Sequence, residues 1–534
     1  MHMMRELFHR VGPKTEAAPF TGCTVISLMF VAALAYAWFL STFLSPYAAG
    51  ADASGYLNFA RLLVHGEIRA PVRALPGHAV TEFGEGTYQP QGFSVRDDSG
   101  LMSPTYPVGF PLHLALATWL VGSEYAVGIV NIVAALAAGA LLYASCRHLK
   151  LRPAWAAAAT GGLWVCPFFL NSALQPMSDL LATTWALATL YAAMRGRERM
   201  LWTIMCGAAF GVAVLIRPTN TLLAFPILLG LGLQPLRLIG AALGALPAGL
   251  FAVYLNLRLF GAALTTGYGS PLHILQAVHA DPTEAFSVIY VRHHLSNFAY
   301  WILLYMGPLV LFALALPFFR HARTRDWAIQ GVWIGVLTGF YAFYQPAGET
   351  WSYVRFLLPC IPSLLMLVVG SLAAFWQRLE AAYQTPIKQL PPFHRLSHRS
   401  GARKGVAVLA IATLSIGWMI VATYRLSVLE WTQYWKVYPD TAQWALEHLP
   451  ASALIWSSGM SGAIYYYTQL PIVRFDFINK DQVSNFVKAA SSARHPMYAL
   501  LSPHEIDEMM SRVGGRWTKI KELRGSISIL EYAG

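Results

Sequence analysis

Ala51-Asp-Ala-Ser-Gly-Tyr-Leu-Asn-Phe-Ala-Arg-Leu-Leu-Val-His-Gly66 follows directly on the first long apolar run of the chain, and Asp52 is the first carboxylate after that run. An amphipathic helix pattern begins beside it. Leu57, Ala60, Leu63 and Val64 share one face, with Asn58, Arg61 and His65 elsewhere on the circumference. A helix lying in a membrane interface would hold this carboxylate at the surface, where it could do chemistry. On this stretch alone, a solvated acid in a loop is an equal reading.

The surrounding chain decides for a membrane. Its 534 residues are 56% hydrophobic and 12% charged, against about 25% charged in soluble domains. Apolar runs near bilayer-crossing length recur from Thr21 to Tyr424. The formal charge of +12 would suit nucleic acid, but the basic residues cluster in short loops between apolar runs. That is the distribution membrane orientation requires, so a nucleic-acid partner is discounted. The five cysteines (Cys23, Cys146, Cys166, Cys206, Cys360) lie in or at the ends of apolar segments. No disulfide is expected in the hydrophilic loops or the tail, and no metal-ligand spacing exists. Residues 1–20 read as a short basic cytoplasmic N-terminus, and 21–44 as a retained first span rather than a signal peptide.

With the N-terminus inside, residues 45–124 form an acid-rich outer loop. Residues 105–121 are apolar but short and open with two prolines. Reading them as interfacial places the clusters Arg147/Lys150/Arg152 and Arg195/Arg197/Arg199 inside. The remaining spans then fall at 125–146, 154–171, 178–194, 200–216, 218–233, 237–257, 298–319, 327–345, 354–376 and 405–424, about eleven helices with the first. Arg217-Pro218 is either a tight outer turn or a kink in one long helix. Residues 21–376 are thus a membrane module with outer loops 45–124 and 258–297, and 377–404 form a basic cytoplasmic linker before the last span. From 425 to 534 the composition is that of a soluble domain. A helix near 440–448 and a strand at 452–457 lead to a helix at 459–468 and a strand near 472–475. A helix at 481–491, a strand at 497–501, a helix at 503–512 and strands near 517–523 and 526–531 follow. This alternation predicts a small exported α/β domain, and it has no glycine-rich nucleotide fingerprint.

That topology gathers polar groups on the outer face: Asp52, Tyr56, Tyr106, the Gln175-Pro-Met-Ser-Asp179 corner, Arg217, the loop with Arg292, His293 and His294, and Glu349 through Tyr353 to Arg355. Ionisable groups at span ends are costly in lipid and usually face a cavity or one another, although each singly reads as an interface anchor. Arg355 opens an apolar span, where a guanidinium can grip a phosphate through two parallel hydrogen bonds at headgroup depth. The adjacent His293 and His294 diverge on a helix and do not make a metal site. No Ser-His-Asp order, GxSxG or P-loop occurs.

Three stretches resemble the GT-C superfamily of integral-membrane glycosyltransferases, in particular the protein O-mannosyltransferases, the lipid A aminoarabinose transferase and the RgtA/B/C/D-like group. They are Ala51-Asp-Ala-Ser-Gly-Tyr-Leu-Asn-Phe-Ala-Arg-Leu-Leu, Ser103-Pro-Thr-Tyr-Pro-Val-Gly-Phe-Pro-Leu, and Arg355-Phe-Leu-Leu-Pro-Cys-Ile-Pro. Gln175-Pro-Met-Ser-Asp179 and Leu215-Ile-Arg-Pro218 sit where the family has similar runs. The resemblance covers residues 20–376 and implies inverting transfer of a sugar from a polyprenyl-phosphate or polyprenyl-diphosphate donor to a glycan, lipid or protein acceptor outside the cytoplasm, from a bacterial inner membrane. It implies Asp52 as general base, Arg355 with Arg217 on the donor phosphate, and Tyr56 and Tyr106 lining the site. Asp179, Glu349, Tyr353 and His293 are further candidates to line it. Two departures stand out: Ala53 replaces a second acid, which argues against an obligatory divalent metal, and Val127-Gly-Ile-Val-Asn131 lacks an arginine found at the second span of many members. A transporter or lipid flippase using the same polar cavity, or a scaffold whose tail binds a partner, are the competing readings. Mid-span acids, which a proton-relay transporter wants, are nearly absent.

Overall fold

The structure, a computed structural model, describes residues 22–95, 98–269, 285–319, 324–384 and 398–534. Helix α1 (Gly22–Phe43) turns Ile26, Phe30 and Trp38 outward, and such a surface is stable only against lipid. α2 (Gly50–Val64) follows, then a three-stranded antiparallel sheet of β1 (Ala70–Pro71), β2 (Phe93–Val95) and β3 (Leu101–Pro104) in the order β1-β3-β2. α3 (Gly109–Val121) has 13 residues. That is about 20 Å of helix against a hydrocarbon core of about 30 Å, so it is too short to span.

The bundle continues with α4 (Ser123–His148), α5 (Pro153–Trp164), α6 (Pro167–Ala173), α7 (Ser178–Arg195), α8 (Met200–Ile216), α9 (Ala224–Leu231) and α10 (Pro235–Phe260). After α11 (Val291–Met306) come α12 (Arg325–Ala342), α13 (Ile361–Gln384) and α14 (His398–Arg425). Every expected span coincides with helical chain, but several are short or broken. By length and apolarity, four helices among the described residues suffice to cross a membrane, or six if each bent pair counts as one span. The breaks have causes in the sequence. Pro167 and Pro308 lack the N–H that would continue a helix, and the chain bends by 60° between α5 and α6 and by 111° between α11 and residues 308–318. α7 lies at the centre of the bundle, buried along nearly its whole length. It therefore tolerates Thr183 and Thr184, whose hydroxyls donate to Asp179 O and Leu180 O.

Arg217-Pro218 is a reversal and not a kink. α8 ends beside the start of α7, where Arg217 Nε donates to Ser178 Oγ at 3.2 Å. The following turn and α9 run back to the other end of α7, where Arg197 Nε donates to Gly230 O at 3.1 Å.

The C-terminal region contains α15 (Trp431–Trp435), α16 (Val437–His448), β4 (Leu454–Trp456), α17 (Ser461–Tyr467), β5 (Ile472–Val473), α18 (Val483–Ser492), β6 (Met497–Leu501), α19 (Pro503–Val513), β7 (Trp517–Leu523) and β8 (Ile527–Tyr532). The sheet order is β5-β4-β6-β8-β7, with β5, β4 and β6 parallel and β8 and β7 antiparallel. β4 is buried throughout, as a strand covered on both faces must be. Its core is not made by residues 425–534 alone. Leu75, Val80, Phe83 and Tyr88, between β1 and β2, are buried among Trp456, Val473 and Phe486.

Candidate active site

α2 places Asp52 in its first turn, where the free N–H groups of a helix favour a carboxylate. Asp52 and Tyr56, four residues apart, share one face. α7 begins with Ser178 and Asp179, and the 3-10 turn Trp351–Cys360 packs against α7 and carries Arg355 to the same point. Four charges then alternate in a line. Arg355 Nη2 lies 2.7 Å from Asp52 Oδ2, Arg355 Nη1 lies 4.0 Å from Asp179 Oδ2, and Arg217 Nη2 lies 2.9 Å from Asp179 Oδ1. The side chain of Asp179 is 1% exposed and that of Asp52 28%, so the Asp52 end is the more open to water.

Uncharged groups fix this line. Tyr56 Oη and Ser178 Oγ are 2.8 Å apart. The Arg217 and Arg355 guanidiniums lie 5.4 and 5.3 Å from the Phe356 ring centroid, which is cation–π range. Tyr106 packs against Tyr56 with centroids 4.8 Å apart and hydrogen-bonds to Asp52. The approach needs Gly55, because a Cβ there would sit 2.4 Å from the Tyr106 ring. The burial of Asp52 acts to raise its pKa, but the Arg355 charge, hydrogen bonds from Tyr106 and Arg355, and the Arg217 charge outweigh it. They hold the carboxyl below its ordinary range. Burial, reinforced by the Asp52 charge, pushes the Tyr56 and Tyr106 hydroxyls up, so both remain donors. One donor is left over: Arg217 Nη1 is buried with no hydrogen-bond partner, an arrangement that favours an incoming acceptor.

The structure thus brings together Asp52, Tyr56, Tyr106, Asp179, Arg217 and Arg355, with Tyr353 at their edge, its ring 6.0 Å from the Arg355 guanidinium. Glu349 and His293 are exposed, and among the described contacts neither reaches the four charges. His294 is buried, with Nδ1 3.0 Å from Ala342 O. Among the described residues no cluster of His, Cys, Asp and Glu could hold a metal. The sequence reading missed three supports. Ser178 and Phe356 lie inside stretches it singled out, but nothing in their spacing marks them. Asn131, in the stretch noted only for lacking an arginine, donates to Ala173 O and Gln175 O at 3.0 and 2.7 Å and so holds the corner before Ser178.

Residues 105–256 match the family model of dolichyl-phosphate-mannose-protein mannosyltransferases. Over nearly its whole length the chain is similar to ArnT of Cupriavidus metallidurans. For the apo structure the identity is 16% and the TM-score 0.57, covering 96% of this chain and 98% of that one. For ArnT bound to undecaprenyl phosphate the identity is 14% and the TM-score 0.53, covering 95% and 97%. The oligosaccharyltransferase of Archaeoglobus fulgidus in its apo form is similar at 12% identity and TM-score 0.52, covering 90% of this chain and 70% of that one. No curated protein matches the chain by sequence. These likenesses show a fold shared with ArnT and the archaeal oligosaccharyltransferase, a GT-C-like fold. The chain combines a helical membrane module with a small C-terminal α/β region, and its match to the mannosyltransferase model runs from just before α3 into α10.

Proposed function

We propose that the protein transfers a sugar from a polyprenyl-phosphate or polyprenyl-diphosphate carrier to an acceptor hydroxyl on the extracytoplasmic side of a bacterial inner membrane. The observation that carries this reading is the line Asp52–Arg355–Asp179–Arg217, with its unpartnered Arg217 donor. The donor phosphate would accept from Arg217 Nη1 and compete with Asp52 for Arg355. Asp52 would then lose part of its ion pair, regain basicity, and take the proton of the acceptor hydroxyl. That oxygen attacks the anomeric carbon, the bond from this carbon to the phosphate oxygen breaks, and the phosphate leaves with the electron pair, stabilised by the two guanidiniums. Attack opposite the leaving group inverts the anomeric centre. Each carboxylate already faces an arginine and Ala53 supplies no second acid, so no step calls for a divalent metal.

Charge supports the orientation. Arg147, Arg195, Arg197 and Arg325 lie at the end of the bundle opposite the site, as cytoplasmic residues would, while residues 425–534 pack on the site side. Asp52→Asn in a strain whose surface glycan is read by mass spectrometry tests the reading. Loss of the glycan at normal protein abundance is expected, and an unchanged glycan would sink the assignment of Asp52.

A further inference from the structure

In doubly wound α/β sheets, ligands sit outside the carboxyl ends of the strands, where successive connections leave in opposite directions. β4 is such a place: α17 leads from it to β5 on one side, and α18 leads from β5 to β6 on its other side. Here the first outer loop is already docked at the carboxyl ends of β4 and β5. Arg474 N, just past β5, donates to Thr87 O at 2.7 Å, Asn479 N donates to Phe83 O at 2.9 Å, and Gln91 N donates to Ser461 Oγ, past β4, at 3.1 Å.

The same edge also grips α2. Ser54, Asn58 and Arg61 lie on the side of α2 opposite Asp52 and Tyr56, about half a turn away at 3.6 residues per turn. Asn58 Nδ2 donates to Gly462 O at 3.1 Å, and Arg61 Nη1 donates to Tyr466 O at 2.7 Å. Arg61 Nη2 also donates to Asn58 Oδ1 at 2.9 Å, which joins the two contacts. Ser54 and Gly462 are packed so closely that a Cβ on Gly462 would fall 2.1 Å from Ser54 Oγ and 2.8 Å from Ser54 Cβ, and 3.0 Å from Gln91 O of the loop.

We infer that the C-terminal α/β domain is an intramolecular clamp whose ligand is the chain's own outer loop, and that it sets the position of Asp52 through α2. Asn58, Arg61 and Gly462 are positioning residues, and the inference rests on the transferase reading for its consequence. Asp52 is held from both faces of one helix, by Arg355 on one and by the clamp on the other. A shift of α2 moves the base off the acceptor proton while leaving Arg217, on another element, in place.

The test uses the full-length protein and three readouts: hydrogen exchange of residues 50–64, affinity for undecaprenyl phosphate, and glycan formed in cells at equal abundance. Gly462→Ala is expected to raise exchange in α2 about tenfold or more. It should lower glycan formation about tenfold or more while binding undecaprenyl phosphate within about threefold of the parent. Ser54→Gly combined with Gly462→Ala removes the two closest contacts of the new methyl, leaving the one to Gln91 O, and should restore a large part of both exchange and glycan. Asn58→Ala and Arg61→Met, which wedge nothing, should show the same pattern more weakly. Unchanged exchange in α2, or a glycan loss that Ser54→Gly does not rescue, overturns the clamp. If the exchange pattern holds while the parent protein forms no glycan, the clamp stands and the transferase reading falls.

Discussion

The two ends of α7 carry the same kinds of charged side chain in different surroundings. At the Arg195 end, Arg195 pairs with Glu198 at 2.8 Å, and His148 lies 3.3 Å from Asp326. The Arg195 and Glu198 side chains are 31% and 43% exposed, so water and salt screen the pair and it contributes little. At the Asp179 end the acid is 1% exposed and Arg217 13%. Taking such charges out of water costs about as much as their attraction returns, and apolar side chains would hold the helices as well. Pairs at the first end are cheap to keep. Pairs at the second are costly to keep, which fits a site that must meet a charged ligand.

The largest expected effect tests the second end. Asp52→Asn keeps the side chain's size but removes the proposed base, and should cut transfer by about 10²–10⁴-fold while undecaprenyl phosphate still binds. Next, Asp179→Asn leaves Arg217 buried without its counter-charge. Stability should fall by about 3–5 kcal/mol, read as a lower unfolding midpoint in detergent. Smaller again is the pH response. Asp52 has a folded-state pKa below its unfolded value, so its contribution is present above the unfolded pKa and lost as pH falls through the lowered one. The acid limb of kcat/KM should therefore lie below the ordinary aspartate range. The limb of kcat, which reports the donor complex, should lie higher, because phosphate draws Arg355 away. Coincident limbs would break the proposed exchange of partners at Arg355.

Much of this was legible in the sequence because it is local. Long apolar runs mark the helices, the alternation after Arg425 marks the α/β elements to within a few residues, and an arginine opening an apolar span marks Arg355. What hydropathy reports is depth along the membrane normal, not direction around a helix. It therefore put Glu349 and His293 at the right end of the bundle but could not tell that both face outward, or that Asp179 and Arg217 face each other. The core shared by Leu75–Tyr88 and Trp456–Phe486 joins segments nearly four hundred residues apart, a separation that leaves no period to read. The sheet β1-β3-β2 was missed for a different reason. Its strands of two to four residues are too short for alternation to stand out.

The smallest expected effect closes the comparison from the other end of α7. Glu198→Ala removes the partner of Arg195, but Arg195 keeps its contact with the Trp202 ring, 4.2 Å from the centroid, and a hydrogen bond to Tyr191 Oη at 3.2 Å. Its charge remains open to water, so no uncompensated buried ion is left. Stability should fall by less than about 1 kcal/mol, and even that should shrink in high salt. The glycan should be unchanged. If Glu198→Ala instead matched Asp179→Asn in the unfolding midpoint, exposure would not be what separates the two ends. The burial of Asp179 and Arg217 would then no longer point to a ligand.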